Sequence, residues 1–135
     1  HDGYIGVSYL GAWCNLGAGT SNSNIKNTAG QIEVWDALAS SWKKWSQKCG
    51  FFMGDYSRTA INTSIPSGAT IGICTSIHNG FPAYKNIPSF SWGPGQPYQL
   101  AEAFIHIQQW MALKGCSLSQ QEKLLLTDVW NHATN

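Results

Sequence analysis

Four cysteines, Cys14, Cys49, Cys74 and Cys116, set the tightest bound on what these 135 residues can fold into. No two stand at the short spacings of a zinc knuckle, so the sequence predicts no metal site built on them. An even number of cysteines in a small chain is the usual signature of a disulfide framework in an oxidising compartment. The expectation is a secreted, extracellular protein with two bridges. Of the three possible pairings, Cys49–Cys74 would join neighbouring strands and Cys14–Cys116 would tie the two ends of the chain. Each bridge would add roughly 2–4 kcal/mol.

Charge supports the same class. Only 11% of residues are charged, the net charge is +1, and 43% are hydrophobic. A chain that neutralises several phosphates carries a basic surplus, so no nucleic-acid partner is expected. No apolar run is long enough to make a transmembrane segment. The length fits a single domain spanning 1–135. The chain starts at His1 rather than Met, which is expected of a processed mature end. Asn62-Thr63-Ser64 is a glycosylation sequon, placing Asn62 on an outward face.

Periodicity predicts strands at Tyr4–Leu10, Phe51–Met53, Thr59–Ile65 and Thr70–Ile77. The last two would form a hairpin through Pro66-Ser67-Gly68. Between the first two strands, Thr28 and Gln31 read as a capping box. Trp35, Leu38, Trp42, Trp45 and Cys49 then share one side at helical spacing, and Gly50 is the stop. A second helix starts near Pro97, with Leu100, Ala103, Phe104, Ile107 and Met111 on its buried stripe and Gly115 at its end. Ser119 and Glu122 form another capping box, opening a short helix to about Asn131. No internal repeat is visible. The expected fold is α+β: a disulfide-braced two-layer sandwich with a mainly antiparallel sheet, two long amphipathic helices and a short C-terminal helix.

Chemistry is sparse in this pattern. Glu102 and His106 are an i, i+4 pair that could act as acid and base or hold zinc, and they are the first catalytic candidates. Asp55 and Arg58 read as a local ion pair. Arg58, His78 and Glu102 could together serve a small nuclease. His1 could chelate copper through its amine and ring, but no strand-borne partner histidine accompanies it. No cofactor fingerprint and no metal site is found. The loop from His78 to Gln96 carries Phe81, Tyr84, Phe90 and Trp92, rings that could stack on a sugar or wedge into a partner.

The first strand and Cys14 after it, the segment Gln47-Lys48-Cys49-Gly50-Phe51, the strand Ile71-Gly72-Ile73-Cys74 and the helix end Lys114-Gly115-Cys116 together resemble the layout of secreted yeast and fungal killer toxins and killer-toxin-like effectors. The resemblance implies a cofactor-free, non-enzymatic toxin or effector acting on the surface or ion transport of a competitor or host cell. Its partner would be a protein, glycan or membrane of that cell. A secreted carbohydrate- or cell-wall-binding module and a small secreted hydrolase or nuclease are the alternatives.

Overall fold

The computed structural model describes residues 2–134 and shows a different architecture. Its strands are β1 (Tyr9–Leu10), β2 (Asn15–Leu16), β3 (Ser21–Asn22), β4 (Ile32–Asp36), β5 (Ser41–Ser46), β6 (Phe52–Met53), β7 (Arg58–Thr59), β8 (Ser64–Ile65), β9 (Thr70–Ile71), β10 (Ser76–Ile77) and β11 (Asn86–Ile87). Two helices follow, α1 (Leu100–Ala112) and α2 (Gln120–Thr134). Apart from the β4–β5 hairpin, every strand pair is parallel. The strands stack in the orders β1-β6-β9-β11, β2-β7-β10 and β3-β8. These are the three faces of a parallel β-helix.

The coil length follows from the register. Phe52 pairs with Thr70 and Arg58 with Ser76, a step of 18 residues. Three faces share it, six residues to a face. The chain therefore does contain an internal repeat, in hexads such as Leu10-Gly11-Ala12-Trp13-Cys14-Asn15, Met53-Gly54-Asp55-Tyr56-Ser57-Arg58 and Ile71-Gly72-Ile73-Cys74-Thr75-Ser76. The first residue points inward, and Met53, Ile65, Ile71, Ile77 and Ile87 form the core of the coil. The fourth residue turns each corner in the left-handed region: Trp13, Gly19, Tyr56, Asn62, Gly68, Cys74 and Phe90 all have positive φ. The fifth is small and buried, as at Thr20, Ser57, Thr63, Ala69 and Thr75.

At the second position coils approach closely. A Cβ built on Gly54 would lie 2.8 Å from the Ile73 nitrogen, and one on Gly72 would lie 2.3 Å from the Ser89 nitrogen. Backbone bonds stitch the coils there, with Gly54 N–H donating to Ile71 O and Gly72 N–H to Ile87 O.

The expected antiparallel sandwich is thus replaced. Thr59–Ile65 and Thr70–Ile77 are not the arms of a hairpin. Each runs around a corner, so only two residues at each end pair, and they pair with other coils. Only Tyr9–Leu10 of the expected first strand is a strand, with Tyr4 bridged to Ser21.

Nor is there a helix after Thr28. The step from Tyr9 to Phe52 is 43 residues, 25 more than a regular coil. The excess holds the antiparallel β4–β5 hairpin. Trp35 faces Trp42 across it, ring centroids 5.4 Å apart. Asp36 Oδ1 accepts the Leu38 and Ala39 amides at its turn. Buried Ile32 and Val34 alternate with exposed Glu33. That period of two, with β-branched and aromatic residues, overrides the helical spacing of the tryptophans.

Among the described residues the four cysteines are unpaired. Cys74 lies in the cluster under the helices, Cys49 in the one below the hairpin, Cys14 against the coil interior, and Cys116 is exposed beyond α1. Lying in separate places, they brace nothing, and the compartment inferred from bridges loses that support. Two helices do stand near the expected C-terminal places, but α2, expected to be short and to end near Asn131, has 15 residues against 13 in α1. α1 buries Ala103, Ile107 and Met111, and Gly115 follows with φ +69°. Ser119 and Glu122 cap α2 reciprocally, as Glu122 N–H donates to Ser119 Oγ and Ser119 N–H to Glu122 Oε1.

Two measurements check this fold. Gly54→Val, which forces a side chain against the neighbouring coil's backbone, should cost about 2–3 kcal/mol in urea unfolding. Mass analysis of the denatured, unreduced protein should find four alkylatable thiols, whereas in the folded protein Cys116 should react first.

Candidate functional site

The hairpin leans over the outer surface of the β1-β6-β9-β11 face and leaves a groove of about 640 Å³. Tyr9, Phe52, Thr70 and Asn86 are the outward residues of four successive strands and make its floor. Trp35 and Ala37 of the hairpin make its wall. Along one side run Gly54 and Gly72, where the missing side chains leave backbone at the surface. Asp55 stands at this side, its Oδ1 accepting the Ala12 amide at 2.8 Å. A long, open, mostly apolar channel with few fixed polar groups suits an extended ligand.

The hairpin is held in place by Lys85. Its Nζ donates to Glu33 O at 2.6 Å and to Ser67 O at 3.0 Å, joining hairpin to coil, and it sits 5.5 Å from the Trp42 ring centroid. Burial, with Lys26 nearby, holds this ammonium below the usual lysine range, and Glu33 partly opposes that.

A second cluster lies on the adjoining face, beneath α1. The Arg58 guanidinium donates to Tyr98 Oη at 2.7 Å, and Tyr98 Oη is 2.5 Å from His106 Nδ1. The Trp92 ring stacks on His106 at 5.7 Å and meets His78 edge-on at 4.9 Å. Burial is the main cause that pushes the Tyr98 phenol up to about 12 and the Cys74 thiol beside it also up to about 12, with Arg58 pulling both back. Tyr98 Oη thus accepts from the Arg58 guanidinium and lies within hydrogen-bond distance of His106 Nδ1. At the N-terminal rim a third polar group forms, where Asn24 Nδ2 donates to Tyr4 Oη at 2.9 Å.

The sequence-derived candidates scatter over these places. Glu102 is exposed and makes no ion pair or hydrogen bond among the described residues, while His106 turns to Tyr98. Glu102 and His106 are therefore not paired by a hydrogen bond or ion pair among the described residues. Asp55 and Arg58 do not pair either, since each has its own partner. Phe81 packs on the coil interior, Phe90 is buried under the helices, Tyr84 is exposed, and Trp92 is 39% exposed among the imidazoles. The four rings make no common surface. Asn62 is an exposed corner residue. His1 lies outside the described residues. Within those residues no cluster of three metal-ligating side chains occurs. The sequence alone marks none of Gly54, Gly72 and Tyr9 as site residues, and it offers Asp55 only as an ion-pair partner of Arg58. The visible signal was an aliphatic residue followed by glycine at Leu10-Gly11, Leu16-Gly17, Met53-Gly54 and Ile71-Gly72, always with a small residue three places later.

No family model matches the chain. Over 80 residues, 59% of this chain, it is 31% identical to a bifunctional sugar-1-phosphate nucleotidylyltransferase/acetyltransferase of Sulfurisphaera tokodaii. The chain covers 20% of that relative's length.

The helical layer should be sensitive to alkali. Both raised groups stabilise the fold in their neutral forms, so their contribution is complete below about pH 9, the thiol's ordinary value. It is lost as pH climbs through about 12. Thermal unfolding across that range should show a falling midpoint, and Cys74→Ala should flatten the early part of the fall.

Proposed function

We propose that this chain is an acyl-transferring β-helix that moves an acetyl or similar group from a thioester to a hydroxyl or amine of a phosphorylated or nucleotide-linked sugar. The observation that carries the proposal is the groove across the repeated coils, in a chain partly similar to a protein whose name includes acetyltransferase. The flat stacked face offers a long track for an extended thioester arm, and the hairpin gives it one wall.

The reaction needs modest machinery. The sugar oxygen or nitrogen attacks the thioester carbonyl, a carbon–oxygen or carbon–nitrogen bond forms, and the carbon–sulfur bond breaks. The proton leaves the nucleophile for a base, and the sulfur departs as a thiolate that is then protonated. Imidazole is the side chain suited to that base at neutral pH. The chain has four, His1, His78, His106 and His132. His132 is an exposed partner of Asp128 on α2. His78 and His106 stand around Trp92 on the face next to the groove.

The reading departs from a surface-acting toxin because a groove shaped for an extended ligand is a place for a substrate, whereas a toxin needs only an outer patch. Incubation with acetyl-coenzyme A and a panel of amino- and hydroxy-sugar phosphates, followed by mass spectrometry, should detect an acylated sugar. Replacing the histidines one at a time by alanine should identify a variant whose kcat falls about 100-fold or more. Trp35→Ala should instead raise KM for the donor. Absence of an acylated sugar with every donor and acceptor would contradict the assignment.

A further inference from the structure

Resting on that reading, we propose that the β4–β5 hairpin is a nucleotide-binding element, with Trp45 and Trp35 receiving a base and Lys43 a phosphate. A cleft of about 340 Å³ opens between the hairpin and the coil face. Trp35, Leu38, Lys43, Trp45 and Phe52 are among its lining residues, and it shares Trp35, Ala37, Phe52 and Thr70 with the main groove. The two depressions therefore adjoin.

The chemistry of this cleft differs from that of the groove. Trp45 is 64% exposed although its ring meets Phe52 edge-on at 6.5 Å. Leu38, at the hairpin turn, is fully exposed. An aromatic ring left this open at the mouth of an apolar cleft offers a stacking face for a flat heterocycle. Lys43 lies in the same cleft, opposite Val34, and has no carboxylate partner among the described residues. Asp36 also lines the cleft, but its Oδ1 accepts the two amides of its turn and its carboxylate is not within ion-pair distance of Lys43. Lys44 faces Glu33 across the hairpin, and Lys48 adds positive charge at the exit of the strand. An ammonium without a carboxylate partner, beside an exposed aromatic ring, complements an anion attached to a base, which is a nucleotide.

The hairpin also has no role in closing the coil. It is an insertion between one coil and the next, and Lys85 fixes it at its base. A nucleotide seated there could belong to the acyl donor or to a nucleotide-linked sugar acceptor, and binding measurements separate them.

Calorimetric titration of the intact chain with coenzyme A, with its nucleotide half, with pantetheine (its nucleotide-free half) and with a uridine-diphosphate sugar reads the cleft without turnover. Binding of a nucleotide-bearing probe is expected, weakened about tenfold by Lys43→Gln and more by Trp45→Leu, but less than twofold by Lys48→Gln. Pantetheine should be indifferent to Lys43→Gln. If coenzyme A responds, the cleft serves the donor; if only the uridine-diphosphate sugar responds, it serves the acceptor. No binding of any nucleotide probe, or binding that Lys43→Gln and Trp45→Leu leave unchanged in folded protein, overturns the inference. Because Lys43→Gln is a surface change, it keeps the test sound if Trp45→Leu misfolds. Acyl transfer with wild-type kinetics in both variants would sink this inference and spare the acyl-transfer reading. Nucleotide binding without any transfer would do the reverse.

Discussion

Everything in this protein hangs on one close approach: successive coils lie near enough for backbone amides of one to bond carbonyls of the next, with glycine where the chains come closest. Parallel neighbours sit about 4.8 Å apart, and at Gly54 and Gly72 the space left for a side chain is nil. Once coils stack at that distance, inward residues pile on one another, so Met53, Ile71 and Ile87 form one column. Outward residues pile too, and this second column becomes the floor of the groove. One constraint thus produces both the core and the candidate site. It also explains the low charge, because stacked faces place like residues directly above one another, and repeated like charges would repel.

The appended parts then give the plain prism its individuality. The hairpin turns a flat face into a walled channel, and its attachment through Lys85 to Glu33 O and Ser67 O makes the wall part of the coil. On the adjoining face the helices cover Tyr56, Cys74 and Phe90, corner residues of three coils. Tyr98 anchors that layer from below, with Arg58 and His106 on its hydroxyl and the Trp130 indole N–H on its carbonyl. The protein is therefore asymmetric around its axis, with one face walled, one covered by helices, and one left as short polar strands.

Legibility in the sequence divided along physical lines. Helices α1 and α2 were readable because their signals are local: a continuous apolar stripe, a reciprocal Ser119–Glu122 cap, and Gly115 at the end. The coils were not read, because strands of two residues carry no alternation of their own. Ile71, Ile73, Thr75 and Ile77 look like one strand face although a corner at Cys74 divides them. The period of six was present at Leu10-Gly11, Leu16-Gly17, Met53-Gly54 and Ile71-Gly72, but the 25-residue insertion split it into two short runs. The tryptophans of the hairpin fell at helical spacing by coincidence, and cross-strand pairing of Trp35 with Trp42 decided otherwise. Even counts of cysteine misled for a simpler reason: count says nothing about proximity. Of the site, Trp92 and His106 were singled out for separate roles and stand together in a cluster, whereas the groove is a product of coil stacking and has no linear motif.

The parallel stack itself is the claim on which the rest depends, and cross-strand proton contacts in an isotope-labelled sample read it directly. Stacked coils predict contacts that step by one coil along each face, Phe52 beside Thr70 and Arg58 beside Ser76. Contacts placing Ile65 opposite Thr70 across the Pro66–Gly68 segment, as in an antiparallel hairpin, would contradict it.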